Sequence, residues 1–341
     1  LAALAFIMTG LGMHMTQTAG LALASDRATD ETRPRVVALL YVALLAGMAI
    51  ASVVVGWLLR DFDPIRLVRV VQGCGLATLI LNLIALWKQE QVRPMSAAER
   101  AEPRPKFADA WADLMRGGTA GRLLAVVVIG TLAFNMQDVL LEPYGGEILG
   151  LSVSATALLS AMSAIGALLA FTLAARWLSR GRDPMRMAAR GLLVGIAAFT
   201  AVVFAAPVGS HALFYAGALG IGFGGGLFAV STLTAAMTLP VDGIAGRGLA
   251  LGAWGAAQAT ASGLAILFGG GARDAVGHWA ASGHLGAALN LPATGYTFVY
   301  HTEIVLLFVT LIVLRPLVRT HLWKPNEAYD AKSTGILDFP T

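Results

Sequence analysis

The 341-residue sequence predicts an all-α membrane protein. Three observations carry that reading. Hydrophobic residues make up 57% of the chain and charged residues 13%, against about 45–50% and about 25% in soluble domains. Nine stretches are apolar over the length a helix needs to cross a bilayer, about 20 residues. The basic residues collect in the breaks between those stretches.

The stretches are residues 1–25, 36–59, 67–87, 123–141, 154–178, 187–206, 211–239, 248–271 and 298–314. They are apolar on all sides, as helices facing lipid or buried in a bundle must be. None alternates with the period of two that a membrane β-barrel shows. Three precede the longest polar break and six follow it. A carrier built from two six-helix halves would show six on each side. The chain is therefore expected to hold about nine helices of twelve, the N-terminal three being missing. The expected divisions are 1–87, the second part of an N-terminal bundle; 88–122, a cytoplasmic linker; 123–319, a six-helix bundle; and 320–341, a cytoplasmic tail.

The breaks give the orientation. Arg27, Arg33 and Arg35 follow the first span, and Lys88, Arg93, Arg100, Arg104, Lys106, Arg116 and Arg122 fill the long linker. Residues 176–190 hold five arginines against Asp183, and the tail holds Arg315, Arg319 and Lys324. All four groups fall on one side. The opposite breaks 142–150 and 207–210 contain no Lys or Arg. Positive charge stays cytoplasmic, which puts the C-terminus inside. One break, with Arg60, Asp61, Asp63, Arg66 and Arg69, disobeys. A weak internal repeat gives it a reason: Arg60-Asp61 and Arg273-Asp274 would be equivalent interfacial ion pairs.

Several classes are excluded. Cys74 is the single cysteine, so no disulfide framework or paired-cysteine metal site can form. No phosphate-binding loop follows a strand, so a nucleotide site is not expected, and neither a free metal nor nucleic acid is implied. In the linker, Phe107, Trp111, Leu114 and Met115 recur at helical spacing, predicting a short amphipathic helix on the membrane surface or under the bundle. The arginines of residues 176–190 read as a solvated loop that could also meet anionic lipid headgroups. The glycines of residues 217–226 read as close helix packing, or as a gate or slot for a flat ring.

Five motifs then point to one family: TQTAGLALA at 16–24, RPRVVALLY at 33–41, MQDVLLEPYGG at 136–146, IGFGGGLFA at 221–229 and GAWGAAQAT at 252–260. Together they resemble the PucC/LhaA group, the bacteriochlorophyll-delivery branch of the major facilitator superfamily. The resemblance implies a major facilitator-type helix bundle with no enzymatic activity. It implies an assembly factor for the light-harvesting complexes LH1 or LH2 of a photosynthetic bacterial inner membrane. Bacteriochlorophyll would be the possible cargo. Partners would be antenna polypeptides, possibly the reaction centre–LH1 complex, and membrane lipids. The other class kept open is a proton-coupled transporter of a small or amphipathic solute.

Ionisable groups inside a span are functional candidates by default. Gln137, Asp138 and Glu142 lie near the outer end of the fourth span. On a continuous helix Asp138 and Glu142 share a face, where two carboxylates would compete for a proton. The alternative is an interfacial helix end terminated by Pro143 and Gly145-Gly146. Asp138 is expected to be the deeper acid. His14, among Gly10, Gly12 and Gly20 and with Gln17 one turn on, could ligate the magnesium of a bacteriochlorin; alternatively it joins two helices. His301, Glu303 and Tyr144 are weaker candidates. His301 and Glu303 are expected at the interfacial start of the last span.

Overall fold

The computed structural model describes residues 33–87, 106–116, 118–178, 180–239 and 246–319, with scattered positions between 8 and 23 and Ser96. Among the described residues all regular structure is helical. The chain runs α1 (Arg33–Leu58), α2 (Pro64–Leu86), α3 (Phe107–Met115), α4 (Thr119–Asn135), a 3-10 turn (Met136–Val139), α5 (Leu141–Glu147) and α6 (Val153–Leu178). It continues through α7 (Pro184–Val208), α8 (His211–Met237), α9 (Gly246–Ala281), a second 3-10 turn (Ala287–Leu289) and α10 (Thr294–Arg319).

Local chemistry sets these bounds. Asp63 and Asp183 cap α2 and α7 by accepting backbone N–H groups, each followed by a proline at the first helical position. Ser210 caps α8 through the Leu213 N–H at 3.2 Å. Gly209, at φ 64°, ends α7 in the left-handed conformation that glycine adopts without strain.

Among the described residues seven helices have the length and hydropathy to cross a membrane: Pro64–Leu86, Thr119–Glu147, Val153–Leu178, Pro184–Val208, His211–Met237, Leu249–Ala281 and Thr294–Val318. They coincide with seven of the nine predicted spans. The predicted span 36–59 is α1, whose apolar part is Val42–Leu58. The first predicted span falls largely outside the described residues. Leu81 and Ile84 on α2, Leu193 and Phe204 on α7, and Phe308 and Ile312 on α10 face outward. Bared to water, each such side chain would forfeit about 25 cal/mol per Å²; a lipid surround removes that cost. The protein is a multi-pass membrane protein.

Helices α4 and α6–α10 pack together, with α8 between α6 and α7, and α10 against α4 and α7. Helix α1 lies on α6, and α2 buries none of its residues. The α8 glycines settle one open alternative. A Cβ at Gly222 would overlap the Ser163 carbonyl, one at Gly226 would press on Ala167, and one at Gly224 on Gly191 and Gly195. Neighbouring backbone fills these notches, so the glycine run is packing and not a slot, and α8 is unbroken.

Three expectations are corrected. Residues 142–150 were predicted as a loop after a span ending at 141, but Leu141–Glu147 forms α5, with Pro143 in its first turn and Gly145-Gly146 inside it. Helix α9 continues ten residues past 271, so His278 stands on a helix. Helix α10 begins at Thr294, four residues before the predicted 298. A hydropathy criterion clips such ends, because polar and small residues occupy the last turns of these helices. The amphipathic helix does form, as α3. Ala110 and Leu114 are buried in the bundle, while Phe107 and Trp111 stack with centroids 5.9 Å apart on its exposed side.

A polar and aromatic core beside a lateral cleft

The candidate residues are organised by the break after α4. At Asn135 the helix tightens into a 3-10 turn, closed by the Leu140 N–H donating to Gln137 O at 2.8 Å. The turn lies against α9 at Gly269, where any Cβ would collide with the Met136 carbonyl. Just before the turn, Asn135 Nδ2 donates to Ser262 Oγ of α9 at 2.7 Å.

Asp138 and Glu142, expected to share a helix face, stand on either side of the restart at Leu141, and each has a different partner. Gln137 is buried, and its Nε2 donates to the Asp138 carboxylate. Asp138 is exposed beside the buried Gln137. Glu142 is exposed and accepts from Ser160 Oγ at 2.9 Å on α6.

The deepest acid is Glu303, not Asp138. Its exposure is 0%, and neither carboxyl oxygen has a hydrogen-bond partner. The Gln137 backbone N–H faces the carboxyl without closing a hydrogen bond. The expectation that Glu303 sits at an interface failed because α10 starts earlier than the apolar run does. Glu303 is thus nine residues into the helix, about 13 Å by helical rise. His301 does stay on the exposed side, its Nδ1 2.6 Å from Thr297 O. His14 and Gln17 lie outside the described residues.

Tyr144 proves to be central. It is fully buried, with ring centroids 5.7 Å from Phe214, 5.4 Å from Tyr296 and 5.4 Å from Tyr300. Its hydroxyl and that of Tyr300 have no partner. Toward the end of the bundle the pattern reverses, and Tyr296, Glu147 and Arg273 bond one another. Tyr296 Oη donates to Glu147 Oε2 at 2.7 Å, and Arg273 Nη2 donates to Glu147 at 2.8 Å and to Tyr296 Oη at 2.7 Å. Arg273 also pairs with Asp274 at 2.8 Å, as expected. Asp61, its predicted counterpart, turns instead to Arg66 at 3.4 Å.

Sequence reasoning missed Tyr296, Tyr300 and the role of Glu147. The signal was there. Tyr296, Tyr300, Glu303 and Leu307 follow a four-three-four spacing, a single helix stripe, and all four are buried.

Beside this core lies a lateral cleft of about 430 Å³, lined by Leu132 and Met136, by Leu267, Phe268, Gly271 and Ala272 of α9, and by Phe298, Thr302 and Leu306 of α10. Thr302 is its one polar side chain, and its hydroxyl donates to Phe298 O at 2.9 Å. Met136 and Thr302 form the cleft wall while the adjoining Gln137 and Glu303 face inward. Apolar cleft and polar core thus share one partition. Among the described residues no group of three or more His, Cys, Asp or Glu could hold a metal ion.

The sequence match is decisive for kinship, because residues 1–322 fit the model of the family described as PUCC protein. The chain belongs to the PUCC family. It is 61% identical to an uncharacterised protein of the puhA-bchM intergenic region of Rhodobacter capsulatus, over 100% of this chain and 71% of that protein. It is 48% identical to Protein PucC of Rhodovulum sulfidophilum, over 81% of this chain and 61% of that protein. This PUCC chain thus spans 61–71% of the length of these two relatives. Its fold is similar to that of a bacterial homologue of the human lysosomal transporter Spinster, solved inward-facing and unoccupied. The TM-score is 0.61 at 17% identity, covering 91% of this chain and 76% of that one. The PUCC chain therefore has the all-α, major facilitator-type bundle that its sequence predicts.

Proposed function

We propose that the chain belongs to a non-enzymatic assembly factor of the photosynthetic membrane, which takes up bacteriochlorophyll from the lipid side and hands it to light-harvesting antenna polypeptides. Membership of the PUCC family carries the reading. The cleft supports it: it opens sideways on the bundle, its walls are apolar, and it shares a partition with a polar core. A pigment with a hydrocarbon tail and polar ring substituents presents that same mixture. The tail would lie in the cleft. The ring substituents would meet Asp138, the exposed carboxyl two residues beyond Met136 of the cleft wall. His14 is the proposed magnesium ligand. The membrane would be the bacterial inner, photosynthetic one, with the C-terminus cytoplasmic.

The test is purification of the protein in mild detergent from cells that make bacteriochlorophyll, followed by an absorption spectrum and identification of attached polypeptides. Pigment and antenna chains in stoichiometric amount are expected. Pigment-free protein with no antenna attached would sink the proposal. One observation favours a second reading, proton-coupled carriage of a small or amphipathic solute: the sealed Glu303 beside Asp138. Proteoliposome uptake lost in Asp138→Asn would favour that reading over the first.

A further inference from the structure

The break between α6 and α7 gathers Arg176, Arg180, Arg182, Arg186 and Arg190 around a single acid, Asp183. That acid is already engaged. Its Oδ1 accepts the Met185 and Arg186 N–H groups at 2.7 and 3.3 Å, capping α7, and Arg186 Nε lies 3.9 Å from its Oδ2. Arg182 and Arg190 turn elsewhere. Their guanidinium carbons lie over the ring of Trp177, 5.0 and 5.3 Å from its centroid. Among the described residues neither is in a salt bridge.

Two cations drawn onto one indole repel each other. Each stacking contact is worth about 0.5–1 kcal/mol at an exposed site. That holds the guanidiniums in place but leaves their charge uncompensated. Two guanidinium forks are thus positioned on one indole, and among the described residues neither is paired with an acid. Its depth says which anion. Trp177 is half-buried in the last turn of α6, and α7 begins at Pro184, so the pair stands at the ends of two spans. Tryptophan and arginine at that level meet lipid headgroups.

We infer that Arg182 and Arg190, held on Trp177, bind the phosphate of an anionic phospholipid headgroup. Guanidinium suits this because its planar donors pair with phosphate oxygens two at a time. The site is independent of the pigment reading and of the polar core.

The test is native mass spectrometry of the full chain released from mixed phosphatidylglycerol and phosphatidylcholine micelles. The wild type is expected to retain phosphatidylglycerol selectively. Arg182→Gln with Arg190→Gln should lower retention by at least about tenfold, the loss that a single charge-assisted hydrogen bond would give. Arg182→Lys with Arg190→Lys should recover part of it, and Trp177→Ala should weaken it with both charges present. Arg186→Gln, which removes a positive charge of the same break but neither stacked guanidinium, should leave it near wild type. Equal retention in the double glutamine variant, or equal loss in Arg186→Gln, would overturn the site. Release of the lipid by millimolar inorganic phosphate would show a free-anion site and overturn the lipid assignment. So would an acidic polypeptide bound in place of lipid.

Discussion

Tyr144 and Tyr300 meet edge to face in the bundle interior, ring centroids 5.4 Å apart and planes at 85°, and neither hydroxyl has a hydrogen-bond partner. The rings supply packing, while the hydroxyls supply none of the bonding that normally compensates burial. A buried polar atom left unpaired costs about 1–3 kcal/mol. Tyr144→Phe and Tyr300→Phe are therefore expected to keep or raise the melting temperature in detergent. If the hydroxyls serve a ligand, the same variants will retain less pigment on purification. A fall in melting temperature would show that the hydroxyls are already satisfied.

Glu303 extends the argument to a carboxyl. It is sealed from solvent, with both oxygens unpartnered. An unpaired charge there would cost several kcal/mol. Glu303→Gln keeps the shape and an unpaired polar head, and should melt near the wild type. Glu303→Leu replaces the group by an apolar one of similar volume and should melt higher, yet antenna accumulation in cells should fall in both. Asp138→Asn should likewise reduce antenna accumulation. Glu142→Gln, altering an exposed acid bonded to Ser160, should change neither measurement. Unimpaired accumulation in both the Glu303 and the Asp138 variants would remove the polar core from the mechanism.

These residues also show how far the sequence could be read. The spans were legible because lipid imposes a composition that no soluble core matches. Asp138 and Gln137 were legible as polar residues in an apolar run. What could not be read was the backbone between them and Glu142. A helical wheel assumes 3.6 residues per turn, and the 3-10 turn Met136–Val139 breaks that register. The cause lies 133 residues away, at Gly269, which lets the turn approach α9. Glu303 was misplaced for a simpler reason. Its helix starts with Thr294, Gly295 and Tyr296, which an apolar-run criterion discards.

Two glycines on α9 separate architecture from cleft. A Cβ at Gly269 would strike the Met136 carbonyl, whereas one at Gly271 meets nothing within 4 Å and projects at the cleft wall. Gly269→Ala must push the 3-10 turn away and should destabilise the protein by about 1–3 kcal/mol. Gly271→Leu should leave stability unchanged or raised, because helix-interior glycine itself costs about 1 kcal/mol, while filling the cleft. Thermal melts check the first pair of expectations and pigment retention the second. Full retention in a stable Gly271→Leu protein would exclude the cleft as the pigment path.

The contacts of Glu147 with Arg273 and Tyr296 join the end of α5 to α9 and α10. The side chains of Arg273 and Glu147 remain 32% and 56% exposed, so screening limits the ion pair to about 0.2–1 kcal/mol. The Tyr296 hydroxyl bonds both groups, and its ring lies 4.5 Å beneath the guanidinium. Glu147→Gln is therefore not a neutral loop change: it should lower stability by about 0.5–1 kcal/mol. A double-mutant cycle of Glu147→Gln with Tyr296→Phe should show coupling of at least about 0.5 kcal/mol. That coupling should survive high salt better than the cycle of Glu147→Gln with Arg273→Gln, because the phenol is a neutral donor and its contact with the carboxylate is not an attraction between two ions. Strict additivity at both salt levels would mean that the three side chains meet without acting as a unit.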